Sequence, residues 1–345
     1  MKEKQNEPIL DVSDLHVSFQ TRNGEVQAVR GVNFSLNKGE TLAIVGESGC
    51  GKSVTAQSIM RLIPEPPGKI KQGSISLKGK ELTTYTEKQM RNVRGSEIGM
   101  IFQDPMTSLN PVLTIGEQIS ESLLKNPNLT KSDVTEKVTE ILRLVGIANP
   151  SERLKQYPHQ FSGGMRQRIM IAMALVNEPD VLIADEPTTA LDVTIQAQII
   201  DLFKDIQKRT GIAIILITHD LGLVAQIADR INVMYAGRVI ESGLVKDIFY
   251  NPKHPYTKGL LKSVPRLDDD RNQPLIPIHG TPPDLLSPPK GCPFARRCDY
   301  AMDVCIQYDP ESTQVTKQHS VRCWLQDERA KKITFPSDGP KITLL

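Results

Sequence analysis

The stretch Gly46–Ser53 contains the residue types that bind phosphate. Its sequence, GESGCGKS, places glycines, a lysine and a serine at the spacing of a phosphate-binding loop. An apolar run at 42–45 precedes it as a predicted strand, and a helix-forming run follows at 54–60. Glycines let successive backbone N–H groups converge on an anion, and the helix N-terminus adds its dipole. The stretch therefore predicts a nucleotide site.

Individual residues of this loop have expected roles. Lys52 is expected to reach the β- and γ-phosphates, and the Ser53 hydroxyl to hold Mg²⁺. The Cys50 thiol is expected to have no role of its own. The residues expected to contact the nucleotide here are Gly46, Glu47, Ser48, Gly49, Cys50, Gly51, Lys52, Ser53 and Val54.

Two acidic residues, Asp185 and Glu186, directly follow the apolar run 181–184. Carboxylates at the end of a buried strand are costly unless a cation or another partner meets them. Asp185 fits the acid that holds Mg²⁺ in phosphate-loop ATPases. Glu186 is expected to polarise the attacking water. Because a phosphate loop lies upstream, this pattern favours a hydrolytic site over a pair of solvated acids.

Two more polar residues follow predicted strands, at the edge where ligands bind to open α/β sheets. Gln103 follows the run 98–102, and its amide can bond a Mg²⁺ ligand or water without adding charge. Alone, Gln103 is more often a turn residue. His219 follows the run 214–218, where a single histidine is usually structural, but its place in this series of strand ends favours function.

A second predicted anion-binding helix terminus lies at 162–168, SGGMRQR. Ser162 is a suitable N-cap, two glycines occupy the first turn, and a helix follows. A chain with two such termini either binds two anions or offers one terminus to a neighbouring molecule. Residue chemistry alone leaves both alternatives open.

The chain of 345 residues is long enough for two domains. Its net charge of +2 gives no bulk electrostatic argument for nucleic-acid binding. The N-terminal residues lack the apolar core of a signal peptide, and the longest apolar runs are too short to cross a membrane. We therefore expect a cytoplasmic protein that acts at a membrane only through partners.

The chain pattern predicts an α/β fold. Alternating runs at 15–19 and 28–36 predict antiparallel strands with a turn at Asn23–Gly24. Helical periodicity from about 114 to 173 predicts an insertion at about 105–175, including a helix that starts near Thr130 and ends at Gly146. Continuous apolar runs at 181–184 and 212–217 predict buried parallel strands, joined by a crossover helix.

The composition changes near residue 245. Residues 246–345 contain 13 of the 24 prolines and four of the five cysteines. We expect an ATPase domain at 9–245 and a separate, small, loop-rich domain at 246–345. A domain of this composition needs a stabilising feature other than a large hydrophobic core in order to stay folded.

These residues together resemble the ABC transporter ATPases over 9–245. The resemblance rests on the glycine loop, Gln103, SGGMRQ at 162–167, Asp185–Glu186, Ala190–Leu191–Asp192 and His219, which occur in the family's order. It implies a RecA-like core with an antiparallel β subdomain, and an ATP sandwich dimer in which each glycine loop faces the other subunit's 162–167 loop. The residues implied to contact the partner's ATP are Ser162, Gly163, Gly164, Gln167 and Asp192.

The resemblance also assigns the remaining site residues. Phe19 would stack on adenine, a contact largely insensitive to base identity, and His219 would contact the γ-phosphate. The implied catalytic set is Glu186, His219 and Gln103, and Mg²⁺ would be held by Ser53, Gln103 and Asp185. All motifs of a hydrolytic site are intact, so the resemblance implies an active ATPase.

A narrower resemblance concerns NPKHPYT at 251–257, followed by Leu260 and Leu261, and QDPMTSLNP at 103–111. Both look like the oligopeptide and dipeptide importer ATPases, where the second segment couples the site to the membrane subunits. This implies a second ATPase subunit (the same chain or a different one), two transmembrane permease subunits, an extracellular or periplasmic peptide-binding protein, and a peripheral place at the cytoplasmic face of the membrane. Nickel importers share much of the pattern, so nickel or another small solute stays an alternative.

Four late cysteines have the spacing C-x5-C-x6-C-x17-C. Paired zinc sites usually show C-x2-C halves, so this arrangement is not typical of zinc. Four thiolates can hold a 4Fe–4S cluster, and the pattern resembles that of some peptide-importer ATPases. Zinc and unmetallated thiols stay open. Arg296, Arg297 and Arg322 would offset the charge of a cluster at Cys292, Cys298, Cys305 and Cys323.

Two other classes fit the sequence less well. A non-transport ABC ATPase acting on the ribosome or DNA would predict a tandem cassette, long heptad arms or a strongly basic face. An iron–sulfur redox enzyme regulated by ATP would need a second cofactor motif. The sequence shows none of these features.

Overall fold

The computed structural model describes residues 7–103, 108–189, 191–263 and 277–330. The strands are Leu10–Thr21 (β1), Gly24–Leu36 (β2), Thr41–Val45 (β3), Gly68–Leu77 (β4), Lys80–Glu81 (β5), Ile98–Ile101 (β6), Val181–Asp185 (β7), Ala213–Ile217 (β8), Arg230–Tyr235 (β9), Arg238–Leu244 (β10), Thr313–Thr316 (β11) and His319–Val321 (β12). The helices described below are Lys52–Ile59 (α1), Glu87–Val93 (α2), Ile115–Leu123 (α3), Lys131–Leu144 (α4), Pro150–Arg153 (α5), Gly163–Leu175 (α6), Val193–Thr210 (α7), Leu221–Ile227 (α8), Val245–Tyr250 (α9), Pro255–Lys262 (α10) and Asp303–Gln307 (α11).

The chain forms two compact units. The first unit contains Met1–Leu10, Leu36–Glu40 and Leu77–Ile217. The second unit contains Asp11–Ser35, Thr41–Ser76 and Thr218–Leu345. The domain boundary predicted near residue 245 stays a prediction.

The first unit is built on three parallel strands in the order β8, β7, β6. Val181 of β7 is in register with Ala213 of β8 and with Ile98 of β6. Every residue of β7 and β8 is buried, as continuous apolar runs require. This pairing confirms the predicted buried parallel strands, and it places the carboxyl ends of the three strands side by side.

Helices α3 to α6 belong to the same unit, and α4 follows its sequence signals closely. Thr130 and Asp133 form a reciprocal capping box, with N···O distances of 2.8 and 3.2 Å. The helix ends at Leu144, and Gly146 has a φ of +79°, which glycine adopts without strain. The predicted helix is therefore confirmed at both ends.

The second unit contains neighbouring strands β2, β1 and β4 and a further set in the order β11, β12, β10, β9, β3. Strands β3 and β9 are parallel, whereas β9, β10, β12 and β11 pair antiparallel. Predicted strands at 15–19 and 28–36 are confirmed as parts of the longer β1 and β2, with a turn at 22–23 between them.

Residues beyond 245 share one core with the strands of the second unit. Val45 of β3, Tyr235 of β9, Tyr256 of α10 and Phe294 belong to the same buried cluster. Glu241 of β10 pairs with Val321 of β12, so the C-terminal segment also extends the sheet. Apolar packing and sheet pairing, rather than a core of its own, thus hold the described part of this segment. Among the described residues, no helix combines the length and the apolar character needed to span a membrane.

Candidate nucleotide-binding site

The glycine loop lies between β3 and α1 in the second unit. All five residues of β3 are buried, and α1 begins at Lys52 with Gly51 as N-cap and no side-chain cap. Gly51 has a φ of +101°, and a Cβ there would lie 2.5 Å from the Ala28 carbonyl oxygen. Only glycine fits this position, and as N-cap it places no side chain over the first turn of α1. This is the strand, loop and helix arrangement that phosphate binding requires.

The Lys52 side chain is held against the loop. Its Nζ donates to the Gly46 carbonyl at 2.8 Å and to the Glu47 carbonyl at 3.1 Å. The residue is 6% exposed. The loop carbonyls therefore fix the position of the ammonium group.

The Cys50 thiol is buried beneath the loop. Burial raises its pKa, so the thiol stays neutral at ordinary pH. The structure thus agrees with its being a small packing residue.

Phe19 and His219 are the other predicted nucleotide contacts in the second unit. Phe19 lies near the end of β1 and is half-buried, with Gly68 close to its ring. His219 is exposed and immediately precedes Asp220, which caps α8 by accepting from the N–H groups of Gly222 and Leu223. The roles of both residues stay predictions.

Glu186 follows β7 in the first unit, and hydrogen bonds hold both its backbone and its carboxylate. Its φ is +48°, an unusual backbone conformation for a residue with a side chain. Its N–H donates to the Ile217 carbonyl at 2.8 Å. Its carboxylate accepts from the Gln103 amide at 2.9 Å and from the Thr189 hydroxyl at 3.1 Å. The structure therefore brings Gln103 and Glu186 together.

Asp185 is the last residue of β7 and is 4% exposed. A carboxylate at this depth is stable only when other groups compensate its charge. Two neighbouring strand ends of the first unit therefore present Gln103 and the pair Asp185–Glu186. A carboxylate fixed by two donors is suited to orienting a water molecule and accepting its proton.

Helix α6 begins directly after Ser162, whose hydroxyl accepts from the Met165 N–H at 3.4 Å. A Cβ on Gly164 would lie 2.9 Å from Ile195, whereas Gly163 has more room. The Ile195 N–H in turn donates to Asp192, the N-cap of α7, at 3.0 Å. The predicted N-cap at Ser162 is confirmed.

Gln167 is 1% exposed, so its side chain is buried within this chain. Ala190, and residues 104–107 of the predicted coupling segment 103–111, lie outside the described residues. The predicted contacts with a partner's ATP stay predictions.

The four late cysteines lie in loops and short helices of the second unit. Burial raises the pKa of Cys292 and of Cys323 to about 12, and neighbouring thiols add to both shifts. The Cys292 N–H donates to the Cys305 carbonyl at 2.8 Å. Within the described ranges, which include all four cysteines, no group of three or more His, Cys, Asp or Glu side chains is arranged to hold a metal ion. The structure gives the predicted cluster no support.

Two residues at the glycine loop escaped the sequence analysis. The Tyr256 hydroxyl accepts from the Glu47 N–H at 2.9 Å, and Arg297 forms an ion pair with the Glu47 carboxylate at 2.8 Å. Arg297, predicted to offset the charge of a cluster, instead binds the loop. Tyr256 lies in the motif 251–257 and Arg297 precedes Cys298, but no local pattern connects either residue to Glu47.

Comparison with known proteins identifies relatives of both parts of the chain. Residues 29–189 match the family described as ABC transporter, and residues 240–305 match the family described as Oligopeptide/dipeptide transporter, C-terminal region. The chain is 62% identical over 333 residues to the dipeptide transport ATP-binding protein DppD of Bacillus subtilis (strain 168), covering 96% of this chain and 99% of that protein. It is 58% identical over 328 residues to the oligopeptide transport ATP-binding protein OppD of the same organism, covering 95% of this chain and 92% of that protein.

Solved structures agree with these matches. The dimeric structure of MJ0796, a bacterial ABC transporter cassette, superposes with a TM-score of 0.61 at 26% identity, covering 68% of this chain and 98% of that one. The structure of cbiO1 from Clostridium perfringens, part of the ABC transporter complex cbiONQ, superposes with a TM-score of 0.62 at 33% identity. The match covers 71% of this chain and 92% of that one. The predicted cassette fold is confirmed.

Proposed function

This chain belongs to the ABC transporter family, and we propose that it is the ATP-binding and ATP-hydrolysing subunit of a peptide importer. The observation that carries the proposal is the constrained carboxylate of Glu186, held by Gln103 and Thr189 in a chain that also carries a complete glycine loop. A chain that only bound nucleotide would not need a fixed base.

The proposed chemistry follows from the residues. Loop N–H groups and the first turn of α1 bind the phosphates, and Lys52 exchanges its carbonyl partners for phosphate oxygens. Glu186 orients water and takes its proton, with His219 at the γ-phosphate and Phe19 against the base. Ser53, Gln103 and Asp185 are the residues proposed to hold Mg²⁺, which would screen the phosphate charge.

The proposed transport cycle needs a second ATPase subunit. Ser162, Gly163, Gly164, Gln167 and Asp192 are proposed to contact that subunit's ATP. Two bound ATP molecules would close the dimer and hydrolysis would reopen it, driving two permease subunits at the cytoplasmic face of the membrane. An extracellular or periplasmic binding protein would deliver the substrate.

Peptides are the substrate class that we favour over nickel. Two observations support this choice: the match of residues 240–305 to a peptide-transporter C-terminal region, and the relatives named for dipeptide and oligopeptide transport. Uptake of nickel is the alternative outcome of the experiment below.

For the four late cysteines, we propose 4Fe–4S binding on residue type and spacing alone. Burial raises the pKa of the Cys292 and Cys323 thiols to about 12, so binding would have to displace their protons. Iron and sulfide content, together with the visible absorbance of protein purified without oxygen, tests this. A Cys292→Ser variant should lose iron; a wild-type chain without iron or sulfide contradicts the proposal.

The main experiment compares Glu186→Gln with the wild type in the assembled transporter. Turnover should fall on the order of 10²–10⁴-fold while ATP still binds, because a general base is lost. Uptake of a labelled dipeptide, a longer peptide and nickel is followed in parallel, with Glu140→Gln, an exposed acid of α4, as control. Near-normal turnover of Glu186→Gln contradicts the proposed base, and loss of nickel uptake alone contradicts the peptide assignment.

A further inference from the structure

We propose that Arg297 and Tyr256, from the C-terminal segment, are positioning residues that hold the glycine loop in its nucleotide-binding conformation. This inference rests on the proposed ATP site and extends it to residues more than 200 positions away in the chain. Glu47, the second residue of the loop, receives both contacts.

Hydrogen bonds hold Glu47 at both its backbone and its side chain. The backbone N–H donates to the Tyr256 hydroxyl at 2.9 Å. Arg297 Nη1 and Nη2 donate to the two carboxylate oxygens at 2.8 and 3.1 Å. Such a two-pronged guanidinium–carboxylate pair fixes orientation as well as distance. Both the direction of the Glu47 peptide and the position of its charge are therefore set from outside the loop.

Arg297 is itself immobilised. Its Nε donates to the His279 carbonyl at 2.8 Å, and Nη2 also donates to the Ile278 carbonyl at 3.1 Å. Nη1 also contacts the Tyr235 hydroxyl at 3.2 Å. The side chain is 5% exposed. Because these acceptors fix the guanidinium group, Arg297 can hold the Glu47 carboxylate in one position, which a mobile surface arginine could not do.

An aromatic cluster supports both contacts. The rings of Tyr235, Tyr256 and Phe294 are mutually packed, with centroids 4.6 to 5.4 Å apart. The Arg297 guanidinium lies 5.7 Å from the Tyr235 ring centroid. Gly46 lies next to this cluster, since a Cβ on it would be 2.2 Å from the carbonyl oxygen of Met234. The loop thus rests on a surface that the C-terminal segment completes.

The consequence for nucleotide binding is electrostatic and geometric. The Glu47 N–H shares its peptide group with the Gly46 carbonyl, which is one of two acceptors of Lys52, so fixing this peptide helps to place the ammonium group. Without Arg297, the Glu47 carboxylate would be an uncompensated negative charge at a site that must accept phosphates. ATP affinity should then fall.

The test measures the Kd of MgATP by calorimetry on the full-length protein. Arg297→Gln should raise Kd about tenfold, the effect of losing one partly shielded charge pair. The double variant Arg297→Gln/Glu47→Gln should recover only part of that loss, because it removes the unpaired charge but does not restore the contact that positions the loop. Tyr256→Phe, which keeps the ring and removes only the hydroxyl, should raise Kd by a smaller factor.

Arg238→Gln is the matched control, because Arg238 pairs with Asp309 in the same unit and makes no described contact with the loop. Its Kd should stay at the wild-type value. The inference is overturned if folded Arg297→Gln and Tyr256→Phe both bind ATP like the wild type, if the double variant recovers the wild-type Kd in full, or if Arg238→Gln weakens binding equally. A wild-type chain that fails to bind MgATP would instead overturn the proposed function itself.

Discussion

The Gln103 amide donates a 2.9 Å hydrogen bond to the carboxylate of Glu186, across 83 residues of sequence. Gln103 follows β6 and Glu186 follows the neighbouring parallel strand β7, so the pairing of these strands creates the contact. The bond links a residue proposed to hold Mg²⁺ to the residue proposed to activate water.

Replacing Gln103 by leucine should therefore slow ATP hydrolysis. Loss of a hydrogen bond to a charged group costs about 1.5–3 kcal/mol, which corresponds to roughly a tenfold or greater loss of turnover. Phosphate release at saturating MgATP measures this. Thr189→Val, which removes the longer 3.1 Å bond to the same carboxylate, should have a smaller effect. Wild-type turnover in Gln103→Leu would show that the bond does not matter for catalysis.

Gly46→Ala should destabilise the protein even without nucleotide. A Cβ would lie 2.2 Å from the Met234 carbonyl oxygen, so the loop or β9 must shift. We expect a loss of about 3 kcal/mol in the free energy of unfolding, from overpacking and backbone strain. Urea unfolding measures it. Gly49→Ala is the control, because nothing lies within 4 Å of its Cβ and only the strain of its φ of +76° applies. Equal losses in both variants would contradict the steric argument.

His254 should make stability depend on pH. Burial lowers its pKa to about 4, although the Glu241 carboxylate acts in the opposite direction. The unfolded value is about 6.5, so the unfolded state binds more protons between these values. The stabilisation is complete above about pH 6.5 and is lost as the pH falls toward 4, on the order of 3 kcal/mol in total.

His254→Asn isolates this effect, since asparagine can still cap α10 by accepting from the Tyr256 N–H, as His254 Nδ1 does at 3.0 Å. Urea unfolding of both proteins at steps from pH 7.5 to 4.5 should show a shallower loss of stability in the variant. Parallel curves would mean that His254 does not titrate on unfolding.

Local patterns predicted the parts of the site that lie at strand ends and helix starts. The apolar run before Asp185, the glycine spacing around Lys52 and the cap at Ser162 each encode their own structure over a few residues. Apolar runs likewise predicted β7 and β8, and the helix-start signal at Thr130 predicted the start of α4. Boundaries were less accurate: the strand predicted at 28–36 begins at Gly24.

Contacts between distant segments were not predictable in this way. Nothing in the sequence near Glu241 indicates that this acid is almost fully buried and accepts hydrogen bonds from His319 at 2.8 Å and from the His254 N–H at 2.9 Å. The same is true of Arg297, whose neighbours suggested a role at the cysteines. The contact between Glu241 and His319 depends on the pairing of β10 with β12, which only the folded chain reveals.

The distance along the chain between Glu47 and its partners has a consequence for synthesis. The Tyr256 hydroxyl lies 209 residues after Glu47, and the Arg297 guanidinium 250 residues after it. A ribosome completes the whole glycine motif early, yet the groups that hold Glu47 leave the exit tunnel only when most of the chain has been made. A nascent chain therefore contains every residue of the phosphate motif well before Tyr256 and Arg297 can form their contacts with Glu47.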